Sequence, residues 1–326
     1  MERAVSTAVV APSPELEEGG FRHEAFFYAD ETEFVSGAIA FLRGAVQADE
    51  PALVVVSSRK IDLLRKRLKA DADRVSFADM DDVGTNPARI IPAWIDFVKA
   101  HDGRRLRGIG EPIWAERSSD ELVECQRHES LLNVAFAESG DFTLLCPYDT
   151  TALGDDVVAE ARRSHPVLRR HGASVTSDDY PGTDAWREPF SAPLSEPPSS
   201  SSAFAFGAGS LSELRSLVWR RAIKAGLGET RADDAVTAVN EVASNSLRHA
   251  GGSGVLRIWE AAGSFVCEVS DDGFIEALLV GRTRPGFDGP GGRGLWMVNQ
   301  LCELVQVRSS SMGTTVRVHL RRHQPD

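Results

Sequence analysis

The sequence is poor in cysteine, and its few cysteines form no motif. Four of the 326 residues are cysteines, they are widely spaced, and no two stand in a CxxC pair. A disulfide framework or a zinc ribbon needs more cysteines, or pairs of them at short spacing. We therefore expect reduced thiols rather than a disulfide or zinc frame.

Basic residues and long apolar runs are also scarce. Lysine and arginine number 36 against 48 aspartates and glutamates, a formal net charge of -12, so we expect no direct binding to nucleic acid phosphates. No stretch approaches the roughly 18 apolar residues of a membrane span, and the first residues, MERAVSTAVVAPSPELEE, lack the regions of a signal peptide. This composition predicts a soluble, cytoplasmic protein without a membrane contact, in which residues 1–19 form a disordered N-terminus.

A proline- and serine-rich segment divides the chain. Residues 184–202 read DAWREPFSAPLSEPPSSSS, a composition that cannot bury enough apolar surface to fold alone. The length of the chain also favours two domains. We therefore predict a first domain at residues 20–183, a linker at 184–202 and a second domain at 203–326.

The first domain alternates apolar strands with segments of helical length. Its strand candidates are ALVVVSS, RVSFAD, RRLRGIG and FTLLCPYD. This alternation predicts an α/β domain with a mostly parallel sheet. The segment VVVSSRKIDLL follows the first of these strands in place of the GxxxxGK[ST] of a P-loop, so we expect no ATP hydrolysis in this domain.

The second domain predicts helices followed by hairpins, an α+β arrangement. Ser210 with Glu213, and Thr230 with Asp233, have the spacing of capping boxes that open two helices. VLRIWE and FVCEVSD flank AAGS, and LVQVRSS and TTVRVHL flank SMG, as two hairpins. A glycine- and proline-rich segment, residues 281–294, and a short helix lie between the hairpins.

Polar and glycine residues follow one another in a fixed order through this domain. The helix VNEVASNSLRHA carries Glu241 and Asn245 four residues apart, hence on one face. Next come SDDGF, then GGRGL at a helix start, then MGTT before the last strand. A glycine-rich loop that leads into a helix lets backbone amides and the helix dipole approach an anion.

This ordered set resembles the GHKL ATPase superfamily, whose N box, two glycine boxes and glycine-threonine segment it matches. The resemblance implies an α+β Bergerat ATP-binding sandwich with ATP and Mg²⁺ as cofactors. It implies that Asn245 coordinates magnesium through the ATP phosphates and that Glu241 is the general base. Ile275 departs from the pattern, because a second glycine is common at its position in the first glycine box.

The same resemblance implies a role for each remaining motif. Asp271 accepts a hydrogen bond from the adenine amino group, and Gly273 permits close approach to the base. Gly292 and Gly294 hold phosphates, and Thr314 supports the adenine end. Arg248 and His249 have either a phosphate role or only a favourable interaction with the helix dipole.

Within the superfamily, the order of these segments looks most like the RsbW-type anti-sigma factors, which are serine/threonine kinases. That resemblance implies a sigma factor and a STAS-type antagonist protein as partners, control of transcription by partner switching, and a homodimer. Two alternatives stay open. One is a sensor histidine kinase, for which His128 is the candidate phosphoacceptor; the other is a non-catalytic binding protein that nucleotide merely orders.

The first domain resembles the MEDS sensory domain. The segments HEAFFYADETEF, FADMDDVGTNPARIIPAW, GEPIW, ECQRHESLLN and CPYD carry this resemblance, which implies a RecA/KaiC-like α/β fold. Candidates for a ligand pocket at the strand ends are His23, Tyr28, Glu111, Cys146, Tyr148, Asp149 and His165. A metal site of histidine and cysteine also stays open, although no such pair has the close spacing of a metal motif, and the alternative is that these residues only cap strands and satisfy buried hydrogen bonds.

Overall fold

The computed structural model describes residues 19–322 except residues 171, 188–189, 262 and 286–291. The disordered N-terminus predicted for residues 1–19 therefore falls, but for its last residue, outside the described residues. In the first domain the strands are β1 (Phe21–Tyr28), β2 (Ala52–Val56), β3 (Val75–Asp79), β4 (Leu106–Gly110), β5 (Phe142–Asp149), β6 (Val167–Arg170) and β7 (Ala173–Thr176). The helices are α1 (Glu31–Gln47), α2 (Ser58–Leu68), α3 (Met80–Val83), α4 (Ile90–Ala100), α5 (Ser119–Ala135) and α6 (Asp155–Ser164).

The strands of the first domain form one sheet in the order β3-β2-β4-β5-β1-β6-β7. All neighbours pair in parallel except β6 and β7. Apolar clusters cover both faces of the sheet, as a parallel sheet requires when helices connect its strands. The mostly parallel α/β domain is thus confirmed, whereas the RecA/KaiC likeness stays a prediction.

The second domain adds α7 (Leu211–Lys224), α8 (Glu229–His249) and α9 (Arg293–Leu301) to five strands. The strands are β8 (Ser202–Gly207), β9 (Ser253–Ala261), β10 (Ser264–Asp271), β11 (Leu304–Ser310) and β12 (Gly313–Arg321). They form an antiparallel sheet in the order β11-β12-β10-β9-β8. The three helices share one apolar core with this sheet, so the predicted α+β arrangement and both hairpins are confirmed.

Neither predicted capping box forms. Ser210 has helical backbone angles, and its hydroxyl accepts the amide of Gly207 at 3.1 Å instead of capping the helix. Helix α8 begins one residue before Thr230, with Gly228 as its N-cap. A capping box does open α5, where Ser118 and Glu121 satisfy each other's backbone amides.

The segment predicted as a linker packs on both domains: its Trp186 lies against the apolar core of the first domain, and residues after it contact the second domain. Phe190 within it is 2 % exposed. On the sheet face away from the helices, Arg317 donates to the carbonyl of Ser195 at 2.6 Å and pairs with buried Glu268 at 2.7 Å. Arg308 donates to the carbonyl of Ala192 at 3.2 Å. Within the described residues, no helix has the length and apolar character needed to cross a membrane.

Candidate functional site

One cavity of the second domain collects the residues predicted from the sequence to bind and act on nucleotide. The cavity has a volume of about 630 Å³ and lies between α8, the end of β10 and the start of α9. Its lining includes Glu241, Asn245, Asp271, Gly273, Gly292, Gly294 and Thr314. Residues that span more than seventy sequence positions therefore meet around one space.

Helix α8 supplies one wall of this cavity. Its apolar residues pack on the sheet, while Glu241 and Asn245 lie half-buried on the side toward α9. A Cβ added to Gly294 would stand 3.0 Å from Oε2 of Glu241 and 3.2 Å from Nδ2 of Asn245. The glycine thus allows the N-terminus of α9, with its partial positive charge, to reach both side chains.

The carboxylate of Asp271 is held from two sides. Its Oδ2 accepts the hydroxyl of Ser246 at 2.5 Å, and its Oδ1 accepts the amide of Gly273 at 2.8 Å. Ser246 is 1 % exposed and follows Asn245 on α8. These bonds fix the carboxylate with lone pairs left for a donor in the cavity. Ser246 was not predicted from the sequence, although it directly follows Asn245 on the helix.

The turn before β12 completes this end of the cavity. Thr314 donates to the carbonyl of Gly273 at 2.9 Å and lies 2.7 Å from the hydroxyl of Ser309. Gly313 has a φ of 122°, and a Cβ there would stand 2.3 Å from the carbonyl oxygen of Asp271. Only glycine allows the two chain segments to approach so closely.

Three further residues shape the cavity. Arg248 donates to Oδ1 of Asn245 at 2.9 Å, and His249 lies on the wall beside it. Ile275 also lines the cavity and donates its amide to the hydroxyl of Ser309 at 2.8 Å. Gly289 and Gly291 of the predicted glycine-rich loop lie outside the described residues. Gly292, which caps α9, has a left-handed backbone with a φ of 82°.

The first domain contacts the chain on both sides of α9. Glu124 of α5, which is fully buried, accepts Arg282 at 3.0 Å and Arg308 at 2.7 Å. Arg127 lies 3.8 Å from the same carboxylate and donates to the carbonyl of Val307 at 2.8 Å. Burial lowers the pKa of Arg127 to about 10. One carboxylate therefore faces three guanidinium groups, a contact that sequence analysis did not anticipate.

A second contact reaches the end of α9 itself. The side chain of Asn86, fully buried before α4, donates to the carbonyls of Asn299 at 3.1 Å and Cys302 at 3.2 Å. Asn299 in turn donates to the carbonyl of Gly281 at 2.9 Å. The first domain thus contacts the end of α9 directly and, through Asn299, the chain at Gly281.

The pocket expected at the strand ends of the first domain is not a single site. Tyr28 donates to Glu111 at 2.8 Å, and Lys60 binds both, at the carboxyl ends of β1 and β4. His23 lies five residues earlier on β1, about 16 Å away at the rise of a strand, where it meets Cys146. Burial raises the pKa of Glu111, while Lys60 opposes that shift. His23 and Cys146 thus belong to one buried cluster and Tyr28 and Glu111 to another, whereas Asp149 is half-buried and accepts from the turn residues Thr151 and Ala152.

Two parts of the chain match known families. Residues 22–166 match the family described as MEDS, the methanogen/methylotroph, DcmR sensory domain. Residues 205–320 match the family described as the histidine kinase-like ATPase domain. The prediction of a MEDS domain followed by an ATPase domain of the GHKL type is confirmed.

One solved structure that resembles the chain holds the RsbU and RsbW domains of Rv1364c from Mycobacterium tuberculosis. The likeness has a TM-score of 0.30 at 18 % identity and covers 39 % of this chain. It spans 34 % of that chain, about a third of its length. No curated protein matches the sequence.

Proposed function

Because the chain joins a MEDS domain to a histidine kinase-like ATPase domain, we propose that it is a sensor-linked ATP-dependent kinase of the RsbW type. The observation that supports this most is the meeting of Glu241 and Asn245 with Gly294 at the start of α9. The kinase phosphorylates a STAS-type antagonist on serine or threonine and binds a sigma factor when the antagonist is phosphorylated. It acts in the cytoplasm, as a homodimer, and controls transcription through this exchange of partners.

The cavity suits magnesium ATP. Its volume of about 630 Å³ lies within the range of small-molecule sites, about 300–1,000 Å³. The carboxamide oxygen of Asn245 is a hard ligand of the kind that magnesium prefers. When bound, ATP supplies the phosphoryl group, and its magnesium ion neutralises negative charge on the phosphates. Asp271, fixed by Ser246 and Gly273, would accept a hydrogen bond from the adenine amino group.

Glu241 is placed to take a proton. Its Oε2 faces the start of α9, beside the position that a terminal phosphate takes at a helix N-terminus. There it accepts the proton of the attacking serine or threonine hydroxyl as general base. The amides at the start of α9 bind phosphate oxygens, and Gly292 and Gly294 leave room for them.

A phosphotransfer assay tests this proposal. The full-length chain is incubated with magnesium, radiolabelled ATP and a STAS-type protein from the same organism. Acid-stable phosphate on a serine or threonine of that protein is expected. Glu241→Gln should abolish the transfer and retain ATP binding, whereas Glu229→Gln, exposed at the start of the same helix, should change neither. Acid-labile phosphate on the chain itself would instead establish a histidine kinase.

The burial of His128 weighs against that alternative. His128 is 1 % exposed on α5, and burial lowers its pKa to about 3. A phosphoacceptor must reach the terminal phosphate of a bound nucleotide, which a side chain enclosed in the first domain does not do. The candidate from the sequence is therefore a core residue.

One contact favours the non-catalytic alternative. The guanidinium of Arg248 donates to Oδ1 of Asn245 at 2.9 Å, the oxygen expected to bind magnesium. Arg248 uses one of the two lone pairs of this oxygen and places a positive charge beside the expected metal position. ATP binding without any transfer, in wild type and in Arg248→Ala, would establish a protein that nucleotide orders without chemistry.

The contacts around Glu124 support control by the first domain. Helix α5 lies within the MEDS domain, and its Glu124 holds Arg282 and Arg308 of the ATPase domain. A change in the position of α5 would move these arginines and the chain on either side of α9. The sensory domain thereby adjusts the cavity through a direct contact.

A further inference from the structure

Four side chains with metal-binding atoms meet inside the first domain, apart from the nucleotide cavity. They come from β1 (His23), α5 (Glu129), β5 (Cys146) and the residue after α6 (His165), and one ligand atom from each lies within 4.8 Å of every other. All four residues are at most 1 % exposed. The cluster therefore belongs to the protein interior, where polar atoms need partners.

The spacing of the four atoms fits one coordinated ion. Nε2 of His23 lies 3.1 Å from Oε2 of Glu129 and 3.3 Å from Sγ of Cys146. Nε2 of His165 lies 3.3 Å from the same oxygen of Glu129. Bonds of about 2.0–2.3 Å in a tetrahedral zinc site place neighbouring ligand atoms about 3.3–3.8 Å apart. Three of the atom pairs already have about this spacing, and every pair lies within 4.8 Å.

Neighbouring groups fix the tautomer of both histidines. Nδ1 of His165 lies 2.7 Å from the carbonyl oxygen of Ala161, so this nitrogen carries the proton. Nδ1 of His23 lies 3.1 Å from Oδ1 of Asn133, whose orientation is set because its Nδ2 donates to the carbonyl of Ser164 at 2.7 Å. In its neutral form each ring thus turns a bare Nε2 lone pair toward the cluster, the arrangement of metal-bound histidines.

With both imidazole rings neutral, the protons present do not satisfy this set of atoms. Two nitrogen lone pairs and a carboxylate oxygen face one another, and the Cys146 thiol has a single proton to share among them. Nε2 of His165 and Oε1 of Glu129 are buried without a hydrogen-bond partner among the described residues. A buried acceptor without a donor destabilises the folded state. A cation at the centre would satisfy every facing lone pair.

We propose that His23, Glu129, Cys146 and His165 bind one divalent transition-metal ion of the zinc class. Mixed nitrogen, sulfur and oxygen ligands suit zinc, and four protein ligands make a closed structural site. Cys146 releases its thiol proton to solvent as the ion binds. The thiolate and the Glu129 carboxylate then neutralise the two positive charges, so the buried site carries no net charge.

The ion joins elements that are distant in sequence. It ties α5 to β1, β5 and the end of α6, and Glu129 follows by five residues the Glu124 that contacts the ATPase domain. Occupancy of the site therefore fixes the helix through which the two domains touch. The metal site does not depend on the proposed kinase activity.

Cobalt substitution of the full-length chain tests the proposal. The chain is stripped of metal and titrated with Co²⁺, followed by Zn²⁺. We expect one Co²⁺ per chain, with a thiolate-to-cobalt charge-transfer band and the strong visible bands of tetrahedral coordination, both removed by Zn²⁺. Cys146→Ser should lose the charge-transfer band, whereas Cys125→Ser, a buried thiol on α5 outside the cluster, should keep it.

Two further measurements keep the test valid if Cys146→Ser does not fold. Asn133→Leu removes the hydrogen bond that orients His23 and should weaken cobalt binding by about 10–100-fold. Wild type purified with zinc should keep one ion per chain through dialysis, and its unfolding temperature should fall when a strong chelator removes the ion. A wild type without tetrahedral cobalt bands, or a Cys146→Ser chain that keeps the charge-transfer band, would overturn the proposal.

Discussion

Replacing Glu124 by glutamine should loosen the contact between the two domains. Glutamine has the same shape, so the packing of α5 is kept. The change removes the one negative charge that faces Arg127, Arg282 and Arg308 in a buried place. The amide nitrogen of glutamine cannot accept a hydrogen bond, so one of the two arginines bonded to Glu124 loses its partner.

The magnitude follows from the burial of this network. Glu124 is fully buried, and the side chains of Arg282 and Arg308 are 6 % and 9 % exposed. Breaking a buried ion pair by removing one partner costs about 3–5 kcal/mol, because the other charge is left without compensation. For a domain of this size the loss corresponds to about 6–20 °C in unfolding temperature.

Calorimetric unfolding of the full-length chain measures this loss. The matched control is Asp96→Asn, which breaks an ion pair between the same domains, with Arg284 at 3.1 Å. The side chains of Asp96 and Arg284 are 52 % and 69 % exposed, so the control should cost less than about 1 kcal/mol. Equal shifts for the two variants would refute the claim that buried charge at Glu124 holds the domains together.

Three further changes test the cavity and its supporting sheet. Gly313→Ala places a Cβ 2.3 Å from the carbonyl oxygen of Asp271 at a φ of 122°, so it should cost about 1–3 kcal/mol more than Gly252→Ala in the free energy of unfolding. Gly252 has a φ of 81° but open space around it. Ser246→Ala removes a hydrogen bond to the Asp271 carboxylate and should weaken ATP binding by about 5–30-fold in calorimetric titration, for a loss of about 1–2 kcal/mol; unchanged affinity would contradict this role. Burial lowers the pKa of His319 from 6.5 to about 4, so the unfolded chain takes up a proton between these pH values that the folded chain does not. The contribution of His319 to the free energy of unfolding is fully present above pH 6.5 and falls as the pH drops toward 4, by up to about 3 kcal/mol. His319→Gln should therefore make the free energy of unfolding, measured by urea denaturation, depend less on pH in this range.

The parts of the fold that follow from the sequence are those with uninterrupted apolar patterns. Strands β2 to β5 and both hairpins lie within a few residues of their predicted positions. Strand β1, at the centre of the first sheet beside β5, was not predicted as a strand, because FRHEAFFY mixes polar with apolar residues. Its polar residue His23 faces the buried cluster instead of solvent.

The candidate site divides in the same way. Motifs with short spacing led to the residues of the nucleotide cavity, since a resemblance needs only local sequence. The roles of Ser246 and Glu124 were not predicted, because their hydrogen-bond partners lie on other elements. The four residues of the proposed metal site lie between positions 23 and 165, so no short sequence motif indicates the site. Tertiary packing alone brings such groups together.

Titration of magnesium ATP onto the full-length chain determines whether the cavity between α8 and α9 binds nucleotide. Wild type is compared with Asn245→Ala and with Asn240→Ala. Asn240 lies on the same helix, but its side chain points away from the cavity and accepts a hydrogen bond from Arg215 at 3.0 Å. We expect magnesium-dependent binding in wild type and Asn240→Ala, and its loss in Asn245→Ala with the fold intact. Unchanged ATP affinity in Asn245→Ala would contradict the assignment of this cavity as the nucleotide site.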